Sequence, residues 1–253
     1  MTLLVHPQLI HKIIMKKNSF YLVFAPILLW LLNELYILEP SLFFVSLSFS
    51  LLIIAFFVRL IVKKNSKRFW PLFVLTPALF YFSLSFYSAI IVGQFWIQLI
   101  FLINAWFVYS YLKNIYYYFS FGAPEREIKL RRLLTGGSFL SVFAIAATLY
   151  GLPIFLNWSF VVLLMIFVLF ALALFSQFLV FSKDIDNPQL LFLGIDVLVL
   201  AEFAGVFFLF PLNYNILGFL VAIIFYLLLL FNNWRLEERL VFKHLRWPIA
   251  VAG

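Results

Sequence analysis

Cysteine is absent from the chain, and with it go disulfides, thiolate metal sites and cysteine nucleophiles. That absence carries no information about compartment. Histidine is nearly absent: His6, His11 and His244 lie in polar terminal stretches, and no HxxxH pair offers two imidazoles one helical turn apart for a metal. No HExxH, GxSxG, phosphate-binding glycine loop or dinucleotide fingerprint occurs, so the sequence assigns no catalytic residue, no metal and no cofactor. Charge is the third scarcity. Only 11% of the residues are Asp, Glu, Lys or Arg, whereas 66% are hydrophobic and 21% aromatic. Soluble domains carry about 25% charged residues. A water-soluble body of 253 residues needs more polar surface than this chain supplies, so lipid is the expected solvent for most of it.

What charge there is lies in clusters that punctuate long apolar runs. A bilayer core of about 30 Å needs roughly 20 helical residues. That ruler divides the chain into eight spans: 19–38, 41–62, 69–91, 94–112, 137–156, 158–181, 190–210 and 216–231. Glu39-Pro40 stops the first, because proline lacks a donor and clashes with the preceding turn. Two uncharged runs, 69–112 and 137–182, are too long for one crossing. They divide at Gly93-Gln94 and near Leu156-Asn157, the latter following Gly151 and Pro153. The stretch MTLLVHPQLIHKIIMKKNSF has a long polar leader, an apolar run of about 20 residues after it and no small-residue cleavage site. It is read as a cytoplasmic arm followed by a retained first span rather than a cleaved signal peptide.

Orientation follows from the basic residues. With an internal N-terminus and eight crossings, the inner segments are 1–18, 63–68, 113–136, 182–189 and 232–253. Together with Arg59 at the edge of the second, they contain all 18 Lys and Arg residues. Cytoplasmic loops need only an excess of Lys and Arg, so complete segregation supports an all-α, polytopic transmembrane bundle with both termini cytoplasmic. The single membrane domain comprises an arm (1–18), spans one to four (19–112), an amphipathic connection (113–136), spans five to eight (137–231) and a basic tail (232–253). The net charge of +8 therefore points to anionic headgroups at the cytoplasmic face. It does not point to nucleic acid, because the bases are spread over five segments with no recognition module. Phe, Ile, Lys, Asn and Tyr are abundant, as in proteins of AT-rich genomes, and the expected location is a bacterial inner membrane.

Two carboxylates break the pattern. Asp196 and Glu202 sit inside the seventh span, where an ionisable group is costly and is by default a functional candidate. Six residues at 100° each set them about 120° apart around the helix, so they form no carboxylate pair. Glu202 lies deepest, beside Ala201, Ala204 and Gly205, and Ala201-xxx-Gly205 suits close helix packing. The favoured reading is a protonated acid bonded to a neighbouring helix; the competing one is a proton- or cation-coupled site. Polar partners are available on other spans. Gln94 and Gln98 share a face of the fourth, with Asn104 deeper; Tyr81, Ser85 and Ser88 form an i, i+4, i+7 stripe on the third; Asn33 and Glu34 lie on the first and Gln177 on the sixth. They describe either scattered interhelical hydrogen bonds, the preferred reading, or a hydrated path lined by spans one, three, four and seven.

The inner face carries amphipathic pieces. Arg235, Arg239, Lys243 and Arg246 fall within about 80° of one another on a helical wheel, a stripe suited to anionic lipid or a cytoplasmic partner. PEREIKLRRLL at 124–134 has proline at a plausible first helical position, and the arm adds Ile10, Ile13 and Ile14 beside its lysines. Asp184 and Asp186 form a D-x-D before Asn-Pro, which reads as a turn; a lipid-modifying enzyme built on them is the least supported alternative. The leading expectation is a non-enzymatic scaffold or subunit of a membrane complex. The alternative is a small secondary transporter that uses Glu202.

Overall fold

A computed structural model describes residues 7–63, 70–121, 124–156, 159–177 and 187–236. Among them the chain is all-helical and free of strands. Eight α-helices follow in order: α1 (Pro7–Leu38), α2 (Phe43–Lys63), α3 (Pro71–Ile90), α4 (Gln94–Phe121), α5 (Pro124–Leu156), α6 (Phe160–Ser176), α7 (Asn187–Phe207) and α8 (Tyr214–Leu236). A single 3-10 turn, Pro40–Leu42, joins α1 to α2. Five stretches are long and apolar enough to cross a membrane: Pro40–Val62, Pro71–Ile90, Gln94–Ser120, Glu127–Pro153 and Tyr214–Asn232. Leu22–Leu38 and Phe160–Ser176 are shorter apolar helices.

The breaks have local causes. Gly93 adopts φ 115°, a left-handed conformation that an L side chain disfavours. It ends the extended segment after α3, and its carbonyl accepts from the amides of Trp96 and Ile97 to start α4. Pro71 and Pro124 open α3 and α5, where the missing amide hydrogen is no loss. The helices also run past the expected limits. Residues 113–136, read from sequence as a connection, are nearly all helical: α4 continues to Phe121 and α5 begins at Pro124. Polar residues are no obstacle to a helix, since its backbone hydrogen bonds close within the segment. Glu127 and Arg131 pair across one turn at 2.8 Å there.

Successive helices are antiparallel. Tyr36 bonds Ser88, Tyr87 donates to Asn215 at 2.9 Å, Tyr150 donates to the Ala204 carbonyl at 2.7 Å and Phe160 stacks on Phe208 at 3.8 Å. These contacts gather the ends of α1, α3, α5 and α7 with the starts of the even-numbered helices. The opposite end gathers Tyr111 with Phe73, Thr76 with Gln177 and Asn232 with Asp196. Among the described residues, Glu39 is the one formal charge in the connections at the first end, hereafter the charge-poor end. Arg59, Lys63, Lys113, Lys129, Arg131 and Arg132 lie toward the other, basic end. Arg59 is over the Trp70 ring there, 5.4 Å from its centroid.

Two hydrophobic clusters fill the interior. One joins α1 to α4, the other α5 to α8. Both halves use the same neighbours: first against second, second against third, third against fourth, and fourth back against first. Helix α5 belongs to both clusters, through Leu130, Leu134, Ala144 and Ala147 on one side and Val142, Ile145, Ala146 and Leu149 on the other. It can do so because small residues face its neighbours. A Cβ on Gly218 of α8 would lie 2.7 Å from the Ala147 backbone nitrogen, and one on Gly137 of α5 would lie 2.4 Å from the Phe107 ring. Such close approach supplies dispersion contacts between the helices.

Candidate functional site

The two carboxylates of α7 have different surroundings, as their separation around the helix requires. Asp196 is 7% exposed, and Asn232 on α8 donates its amide Nδ2 to Asp196 Oδ2. A buried carboxylate needs such donors, since an uncompensated charge in this setting costs several kcal/mol or more. Glu202 is exposed on the outer surface of the bundle. Leu198 (59% exposed) and Val206 (51%) share that side of the helix. The close-packed setting expected for Glu202 is therefore corrected: Gly205 and Gly194 meet nothing within 4 Å of where a Cβ would be, and the described helices make no interface there. The sequence reading placed the structural contact at Glu202. The structure places it at Asp196, the carboxylate nearer the helix start. A wheel shows that two residues point apart without showing which one points inward.

The richest polar cluster lies elsewhere, between α1, α2 and α3. Tyr81 Oη donates to Asn33 Oδ1 at 2.5 Å, and Ser50 Oγ lies 2.9 Å from the same hydroxyl. About one turn further along α1 toward the charge-poor end, Tyr36 and Ser88 share a hydrogen bond, and Ser88 Oγ donates to the Ser85 carbonyl at 2.7 Å. Ser46 donates to the Leu32 carbonyl across α1 and α2. The stripe of Tyr81, Ser85 and Ser88 was legible from its i, i+4, i+7 spacing, and Asn33 was noted on the first span. Ser46, Ser50 and Tyr36 were missed, because a serine every turn of an apolar helix reads equally as a self-satisfied hydroxyl. Toward the basic end the cluster stops at an aromatic layer, where Phe80 stacks on Phe107 at 3.7 Å.

The remaining candidates are dispersed. Gln94 is exposed and Gln98 half-buried at the start of α4. Asn104 is 1% exposed. Gln177 is buried and takes a hydrogen bond from Thr76. Arg239, Lys243, Arg246, Asp184 and Asp186 lie outside the described residues, and Arg235 is placed only as backbone within α8. No group of three or more His, Asp or Glu side chains converges as a metal site among the described residues. A small crevice between α5, α6 and α7 is lined by Leu149, Tyr150, Phe160, Leu163, Phe167 and Ala204, among others, and is apolar. The described residues thus hold a buried polar core in the first half, a buried acid–amide pair in the second, and Glu202 exposed on α7. The chain matches no protein-family model, no curated protein and no solved structure.

Proposed function

We propose that the protein is an integral membrane protein of the bacterial inner membrane, crossing eight times with both ends cytoplasmic. It serves as a non-enzymatic subunit or scaffold of a larger membrane assembly. The observation that carries this reading is the outward position of Glu202 on α7. Glu202 lies five residues before Phe207, where the helix ends, roughly 7.5 Å along the axis. A carboxyl group at that depth facing hydrocarbon is costly unless protonated or met by a partner. The flanking Gly194 and Gly205 leave room for a second helix to approach closely. The same outward position counts against the transporter reading, since a coupling site has to lie inside the bundle or on a water-filled cavity. The segregation of all 18 basic residues supports the topology.

The test is site-specific photocrosslinking in intact membranes. A photoreactive residue at Leu198, beside Glu202, is compared with one at Leu169, which is 67% exposed on α6. The assembly reading expects a discrete protein adduct from position 198, absent from position 169 and weakened by Glu202→Leu. Lipid adducts alone at both positions would refute it.

A further inference from the structure

Five buried side-chain polar atoms have no hydrogen-bond partner among the described residues: Oγ of Ser138 on α5 and, on three other helices, Nδ2 of Asn33 on α1, Oγ of Ser85 on α3 and both amide atoms of Asn104 on α4. Asn33, Ser85 and Asn104 are 2%, 1% and 1% exposed. A buried polar group left unpaired in this way calls for a specific explanation.

The helix register brings Asn33, Ser85 and Asn104 to one level. Tyr36 of α1 meets Phe101 of α4 edge to face, their ring centroids 5.6 Å apart. The two helices are antiparallel, so three residues back on α1 and three residues on along α4 move one turn in the same direction and stay on the same faces. Those positions are Asn33 and Asn104. On α3, Tyr81 bonds Asn33 and Ser88 bonds Tyr36. Ser85 lies between them, four residues after Tyr81 and three before Ser88, on the face turned to α1. The unpaired atoms of these three residues therefore converge where α1, α3 and α4 meet.

We propose that Asn33, Ser85 and Asn104 enclose an internal binding site for a small neutral hydrogen-bonding molecule, namely water. The chemistry of the site selects it. Neither these residues nor Tyr36, Ser50, Tyr81 and Ser88 around them carry a formal charge, and Glu34 beside Asn33 is only half-buried, so an ion would enter without a counter-charge among the enclosing residues. An apolar ligand would leave all four atoms unsatisfied. Two amide nitrogens that donate, one amide oxygen that accepts and one hydroxyl that does both match water, which needs two to four polar partners in a buried position. The Phe80–Phe107 stack closes the site toward the basic end, and the Tyr36–Ser88 pair continues it toward the charge-poor end. The site is independent of the α7 surface on which the assembly reading rests.

The sign of a stability change tests the proposal. If the amide of Asn104 is unpaired and dry, replacing it with an apolar group of similar volume removes a penalty and raises stability; if water bridges it to its neighbours, the replacement breaks a network. The full-length protein, purified in mild detergent, is unfolded thermally as wild type, Asn104→Leu, Ser85→Ala and the double variant. Lowered Tm values in both single variants, with a double variant less destabilised than their sum, are expected. Raised Tm values with additive effects would overturn the proposal. Should Asn104→Leu fail to fold, Asn33→Leu takes its place in the same cycle. An experimental map that shows ordered solvent is the direct check: a solvent peak within hydrogen-bond reach of Asn33 Nδ2 and Asn104 supports the site, and a direct Asn33–Asn104 amide bond removes it.

Discussion

Gly218→Ala adds one methyl group where α8 crosses α5, and the structure fixes what that methyl meets. The new Cβ would lie 2.7 Å from the Ala147 backbone nitrogen, 2.8 Å from its Cβ and 2.9 Å from its Cα. Two of the three atoms are backbone, so no rotamer change relieves the contact. The helices must separate by several tenths of an ångström along the most extensive interface of the second half. Overpacking of this kind costs about 1–3 kcal/mol. Alanine's better helix propensity returns at most about 1 kcal/mol, so a net loss is expected. Thermal unfolding of the detergent-solubilised protein should show Gly218→Ala below wild type. Gly205→Ala on α7, where nothing lies within 4 Å, should equal or exceed it. Adding Ala147→Gly to Gly218→Ala should restore only part of the loss, because the nitrogen and Cα of residue 147 remain in place. Gly218→Ala as stable as Gly205→Ala would refute the close α5–α8 crossing.

Other outcomes follow from the same geometry. Asn232→Leu removes an amide donor from buried Asp196 and should cost about 1–3 kcal/mol, read as a lowered Tm; Asp196→Asn in that background should recover part of it by removing the charge. The cysteine-free chain is a ready background for topology mapping. Single variants Val92→Cys and Lys64→Cys should react with a membrane-impermeant maleimide from opposite sides, Val92→Cys from outside in intact cells and Lys64→Cys only after permeabilisation. Labelling of both from the same side would contradict the eight-crossing reading.

The residues that were informative in the sequence are those whose effect is local. Gly93 marks the start of α4 because its backbone conformation is itself unusual. Pro124 opens α5 because proline suits a first turn. The eight apolar segments correspond to eight helices because each run is long enough to close its own hydrogen bonds. Tertiary facing was not legible. In a soluble helix, polar residues mark the outside; in an apolar helix, the side toward lipid and the side toward protein are both Leu, Ile and Phe, so nothing around Glu202 announced that it points outward. The pairing of Asn33 with the level of Asn104 depends on the register between two helices that are distant in sequence. Helix α5 was divided between a connection and a span, and its central place rests on Gly137, Ala144 and Ala147. Their small size is an absence of bulk that sequence hydropathy does not weigh.

That a single helix serves both hydrophobic clusters has a consequence for biosynthesis. A nascent chain in which only α1 to α4 have been made still lacks Leu130, Leu134, Ala144 and Ala147, which belong to the first cluster. The first half cannot mature as a finished unit while the second is being made. It waits for α5, and α5 in turn offers its other side to helices not yet synthesised. Assembly of this chain is thus ordered by its middle: until residue 156 has left the ribosome, neither half has all of its walls.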